Sequence, residues 1–164
     1  MKVSDGARSD PFAPRQTLSQ TERTLLDFLA RGFAMKQIGE QMNLTTRTVQ
    51  KYVTDLRLKM EAKNNAQLIA YALASKKKRR EIKQDPFASR QTLSESEREV
   101  IELLSRGWTA REIGEHMALN SRTIERHIEN LRLKMNARNV AHLIANAFLK
   151  GTLKVARGRI TVSR

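Results

Sequence analysis

The chain has 164 residues, a formal net charge of +14 and no cysteine, so disulfide scaffolds, thiol catalysis and cysteine-ligated zinc are excluded. Aromatic residues make up 5% and glycine and proline are few, which argues against a β-sandwich or a Gly-rich nucleotide fold. Met1 to Arg15 lack the apolar core of a signal peptide, and no run approaches the roughly 18 apolar residues of a membrane span, so composition predicts a basic, helical protein of the cytoplasm. The charge is concentrated. Residues 76–84 (KKKRREIKQ) and the tail 151–164 supply nine of the fourteen net positive charges. Cations with so few acidic neighbours point to a polyanionic partner.

An internal repeat organises everything between the termini. DPFAPRQTLSQTER at 10–23 returns as DPFASRQTLSESER at 85–98, and the match runs on without a gap at a constant offset of 75. About half of the aligned positions are identical. The economical reading is two domains of one fold, over 16–75 and 91–150, with a flexible arm at 1–15, a basic linker at 76–90 and a basic tail at 151–164.

Each unit predicts four helices. Ser19 and Ser94 open S-x-x-E capping boxes with Glu22 and Glu97, followed by apolar faces at Leu25, Leu26, Phe28 and Leu29 and at Val100, Ile101, Leu103 and Leu104. Gly32 and Gly107 suit left-handed helix ends. Short second helices are predicted over 35–43 and 109–118, with Ile38/Met42 and Ile113/Met117 inward. Thr109 is a competent N-cap and Ala34 is not, a difference of about 1 kcal/mol. Gly39 and Gly114 are read as allowing the second and third helices to cross closely. Thr45 and Asn120 cap the third helices, whose apolar stripes are Val49, Val53, Leu56, Met60 and Ile124, Ile128, Leu131, Met135. Fourth helices begin near Asn64 and Asn139. Phe33, Trp108 and the repeated methionines are read as core. The tail, with Leu153/Val155 and Ile160/Val162 around Arg157-Gly158, predicts a small hairpin or a disordered arm.

Two short helices joined by a tight turn form a helix-turn-helix, whose second helix fits the major groove of duplex DNA. The motifs L-S-x-x-E-R, R-G-x-x-x-x-x-I-G, L-T-x-R-T-V, L-R-L-K-M and N-x-A-x-L-I-A together resemble the LuxR/FixJ-type (GerE-like) DNA-binding domain over residues 16–74 and 91–149. The resemblance implies an all-α architecture of two tandem four-helix domains. It also implies a cytoplasmic, nucleoid-associated transcription regulator with the third helix as reader, and a fourth helix that often mediates dimerisation. Double-stranded DNA is the partner implied. RNA polymerase or a related regulator is a further candidate, and no membrane, cofactor, metal or small-molecule ligand is expected. No nucleophile–base or phosphate-loop constellation suggests an enzyme.

The candidate DNA-contacting residues in the first unit are Lys36, Thr45, Thr46, Arg47, Thr48, Gln50, Lys51 and Thr54. Those in the second are Arg111, Asn120, Ser121, Arg122, Thr123, Glu125 and Arg126, and the linker adds Lys76, Lys77, Lys78, Arg79 and Arg80. Hydroxyls and helix N-terminal amides suit phosphates, Gln suits adenine, and Lys or Arg suits guanine. The readers are unequal. Where the family pattern has T-V-K-x-H, this chain has Gln50 in one copy and Glu125 in the other, and Glu129 stands one turn beyond Glu125. Three accounts of the acidic pair compete: reading of cytosine N4, neutralisation by Arg122 and Arg126, or a face that binds protein. The first unit is expected to supply more of the affinity. His127 is read as a packed or phosphate-contacting residue. The favoured function is a covalent pseudo-dimer on two half-sites, direct or inverted. The runner-up is an anti-activator that pairs its fourth helices with those of a related regulator.

Overall fold

A computed structural model describes residues 11–12, 17–75 and 92–163. The predicted linker and its five candidate cations, Lys76 to Arg80, lie outside these residues, as do residues 1–10 and 13–15 of the arm. In chain order the helices are α1 (Gln20–Ala30), α2 (Met35–Met42), α3 (Thr46–Lys59), α4 (Asn65–Ala74), α5 (Glu95–Ser105), α6 (Ala110–Met117), α7 (Ser121–Lys134) and α8 (Val140–Leu149). The tail forms the predicted hairpin, β1 (Leu153–Ala156) antiparallel to β2 (Arg159–Val162), with Val155 opposite Ile160. Arg157 and Gly158 both have positive φ, +51° and +73°, as a tight two-residue hairpin turn requires.

The helix ends follow local chemistry. In both capping boxes the serine hydroxyl accepts from the glutamate N–H at 3.2 Å, and the glutamate carboxylate accepts from the serine N–H at 2.8 Å. Thr45, Asn64, Thr109, Asn120 and Asn139 each accept a backbone N–H with their side chain. Ala34 has no such group, but Gln37 Oε1 accepts the Ala34 N–H at 2.9 Å, so half of a capping box survives there. Gly32 and Gly107 take φ of +80° and +83° at the ends of α1 and α5.

Gly39 and Gly114 have a nearer neighbour than the one expected. A Cβ on Gly39 would meet the Leu44 carbonyl oxygen at 2.6 Å, and one on Gly114 the Leu119 carbonyl at 2.7 Å. The glycines make room first for the turn folding back on its own helix, and next for the start of the third helix, whose Ser121 N lies 3.4 Å from such a Cβ on Gly114. That turn passes through left-handed Asn43 (φ +52°) and Ala118 (φ +54°).

The two repeats share one continuous apolar core. Leu25, Ile38, Val49, Leu56 and Leu68 in the first and Ile101, Ile113, Ile124, Leu131 and Leu143 in the second are essentially inaccessible to solvent. Phe33 and Trp108 are only half-buried at its margin, as are Met42 and Met117, whereas Met60 and Met135 are fully enclosed. The repeats meet chiefly through α4 packed on α8, with α1 against α8 and α4 against α5.

Candidate nucleic-acid interface

A lock ties the third helix of each repeat to the first helix and to the loop that precedes the fourth. Lys59, near the end of α3, reaches the buried Glu22 carboxylate at 2.5 Å, and Lys134 on α7 reaches Glu97 at 2.7 Å. Burial by itself would raise both carboxyl pKa values. The lysine ammonium and the serine N–H outweigh it and hold both below the ordinary 4.5. Arg57 and Arg132 close the other side, donating to the carbonyls of Lys63 at 2.7 Å and Arg138 at 2.6 Å. The signal in the sequence was the repeated L-R-L-K-M, whose Arg and Lys look like surface charges until the buried glutamate is placed beside them.

With its apolar stripe anchored, α3 exposes Thr46, Arg47, Gln50, Lys51 and Thr54, and α7 exposes Ser121, Arg122, Glu125, Arg126 and Glu129. Lys36 and Arg111, on the preceding helices, are also exposed. Among the described residues the side chains of Lys36, Arg47, Gln50, Lys51, Arg122, Glu125 and Arg126 engage no partner. Four other candidates are occupied at the helix starts. The Thr45 and Thr48 hydroxyls bond each other at 2.8 Å, and Asn120 Oδ1 accepts from the Thr123 hydroxyl at 2.9 Å. Thr54 donates its hydroxyl to the Gln50 carbonyl at 3.0 Å, and Arg111 pairs with Glu115 at 3.0 Å.

The acidic pair on α7 is partly neutralised, but not as expected. Glu129 binds Arg132 at 2.7 Å, one turn further along, and neither Arg122 nor Arg126 pairs with it. Glu125 is left unpaired among the described residues. His127 is half-buried. Among the described residues no three His, Asp or Glu side chains converge as a metal site, and no helix is long and apolar enough to cross a membrane.

The relation between α3 and α7 is set at the seam. Asn64 caps α4 with Oδ1 and sends Nδ2 across to the Gly107 carbonyl at 2.9 Å. Asn139 caps α8 in the same way and sends Nδ2 to the Gly32 carbonyl at 3.2 Å. Because 139 and 107 are the counterparts of 64 and 32, each repeat makes to the other the contact it receives. That reciprocity is the mark of a two-fold axis. The two glycines are needed twice over: a Cβ on Gly32 would strike His142 at 2.7 Å and one on Gly107 would strike Gln67 at 2.6 Å. Around the axis lies an open groove of about 610 Å³ bordered by Phe33, Trp108, Asn64 and Asn139. Arg138 sits over the Phe33 ring at 5.9 Å.

Two helix-turn-helix units, each with an exposed polar helix face and joined about a pseudo-two-fold, define a tandem helix-turn-helix protein. The family model described as bacterial regulatory proteins, luxR family, matches residues 16–72 and again 91–147, and the chain belongs to this family. It is 32% identical over 72 residues to the oxygen regulatory protein NreC of Staphylococcus haemolyticus, covering 44% of this chain and 32% of that protein. It is also 37% identical over 62 residues to the probable transcriptional regulator ycf29 of Cyanophora paradoxa, covering 38% and 27% respectively. The chain thus matches only about a third of the length of these relatives. No solved structure matches.

Proposed function

We propose that the chain is a sequence-specific, double-stranded DNA-binding regulator of transcription that acts as a covalent pseudo-dimer, with α3 and α7 each entering a major groove. In this reading residues 16–75 and 91–150 are the two reading domains and 76–90 the linker between them, with 1–15 as an N-terminal arm and 151–164, which carries the β1–β2 hairpin, as a basic C-terminal tail. Lys76, Lys77, Lys78, Arg79 and Arg80 supply charge for phosphates. The observation that carries it is the reciprocal Asn64–Gly107 and Asn139–Gly32 bonding, which pairs the repeats about an axis while both third helices keep their polar faces open. Membership of a family of regulatory proteins, and a relative named as a probable transcriptional regulator, support the same reading.

A two-fold between readers favours inverted over direct half-sites. The half-sites differ, because Gln50 and Lys51 face one and Glu125 and Arg126 the other. Gln offers a bidentate pair to adenine, Lys or Arg a donor to guanine, and Glu an acceptor to cytosine N4. On α3, Arg47 and Lys51 precede the first acidic residue, Asp55. The first repeat therefore carries more of the affinity in this reading.

Selection of bound fragments from random duplex DNA, followed by footprinting, tests the proposal. The expected result is an inverted pair of unlike half-sites occupied by one chain, with affinity falling steeply as salt rises. A chain that leaves no footprint yet forms a stable complex with another regulator of this family would support an anti-activator instead. That function would require the α4–α8 pair to open, because the fourth helices already occupy one another.

A further inference from the structure

Two leucines stand out on the reading helices. Leu58 is 71% exposed and Leu133 is 72% exposed, the most exposed of the large hydrophobic residues described, and they occupy the same place in the two repeats. Their position on the helix is informative. Arg47, Lys51, Thr54 and Leu58 are spaced i, i+4, i+7 and i+11, which on a helix of 3.6 residues per turn is one stripe. Arg122, Arg126, Glu129 and Leu133 form the corresponding stripe on α7. The flanking cations are turned away: Lys59 and Lys134 reach back to Glu22 and Glu97, and Arg57 and Arg132 to loop carbonyls. At its C-terminal end, then, each reading stripe presents an apolar side chain.

We infer that Leu58 and Leu133 are specificity residues that contact thymine methyl groups in the major groove, one in each half-site. This rests on the DNA-binding reading above. A leucine has no hydrogen-bonding group, and the apolar feature the major groove offers is the C5 methyl of thymine. A protein-docking patch fits less well. Such patches are contiguous, whereas the stripe neighbours of Leu58 are Thr54 and Lys51, with exposed Glu61 one turn on, and those of Leu133 are Glu129, Arg126 and exposed Asn136. A single methyl contact suits a single exposed leucine.

The test uses the full chain and a duplex taken from the selection above, with each thymine replaced in turn by deoxyuridine, which lacks only the methyl. Binding of the unaltered chain should fall about fourfold, the worth of one buried methyl-sized group, at one thymine in each half-site. Leu58→Ala should abolish the response in one half-site and spare the other, and Leu133→Ala should do the converse. Circular dichroism checks that both variants remain folded, as surface changes should. If both variants keep the unaltered chain's thymine-to-uracil profile, the inference is overturned and the DNA-binding reading stands. If the unaltered chain binds no duplex, both fall.

Discussion

Lys51 stands on the open face of α3 with no acidic side chain ahead of it on that helix, whereas its counterpart Arg126 follows unpaired Glu125 and precedes Glu129. Removing a groove-facing cation should therefore cost more in the first repeat. Lys51→Ala is expected to weaken specific binding about tenfold and relax the preference at one base pair. Arg126→Ala should cost less, because the adjacent Glu125 already offsets part of that cation's attraction for phosphates. Titration of both variants at one salt concentration checks this, and a larger loss for Arg126→Ala would reverse the order of the readers. Ala118 offers a stability test at the same scale. It holds φ of +54° at the end of α6, where its counterpart is Asn43, a residue that tolerates this conformation better. Ala118→Gly should raise stability by about 1 kcal/mol in urea unfolding, since the strain removed exceeds the added freedom of the unfolded chain.

The capping motifs explain why helix positions were legible in advance. Ser19, Thr45, Asn64 and their partners in the second repeat announce helix starts, and the apolar spacing fixes which face turns inward. What the spacing could not show is which long-range partner a polar residue takes. Glu22 and Glu97 were recognisable as capping residues. Their pairing with Lys59 and Lys134 across 37 positions depends on how α1 and α3 pack. Likewise, Gly39 and Gly114 were visible as small residues, but the backbone that crowds them belongs to the turn. The glutamate–lysine locks predict acid sensitivity. A carboxylate held below its ordinary 4.5 stabilises the fold fully above that value, and the contribution is lost as pH falls through the depressed folded value. Lys59→Met should flatten part of that acid limb and lower stability at neutral pH by about 2 kcal/mol, because it strands a buried carboxylate. Urea midpoints measured between neutral pH and pH 3 report both effects.

At the scale of the whole molecule, the duplication was plain in the sequence, and the seam was not. Asn64 and Asn139 were legible as caps, but half of each amide serves the other repeat, and no local pattern discloses a contact between residues 107 positions apart. His142 and Gln67 show how the seam tolerates divergence. Gln67 Oε1 accepts the Lys63 N–H at 2.7 Å, and His142 Nδ1 accepts the Arg138 N–H at 3.2 Å in the same place. Only the neutral imidazole can do so. Burial, and then the nearby Arg138 charge, holds the His142 pKa below 6.5. The unfolded chain takes up a proton as pH drops below 6.5 while the folded chain does not, so stability should decline there until the folded value is reached. His142→Gln, which installs the group its sister repeat uses, should remove that slope and retain the packing. Thermal unfolding between pH 7.5 and 5 distinguishes the two chains. A joint that lies within a single polypeptide has one more effect. Two separate subunits must first find each other, so their occupancy of an operator falls with the square of concentration on dilution. In the proposed pseudo-dimer the mates are never parted, and occupancy should follow the first power of copy number, which would let a scarce protein hold its target with no threshold. Since the mates are not twins, such a complex would also have a direction along the double helix, and reversing the operator would reverse which flank each half presents to its neighbours.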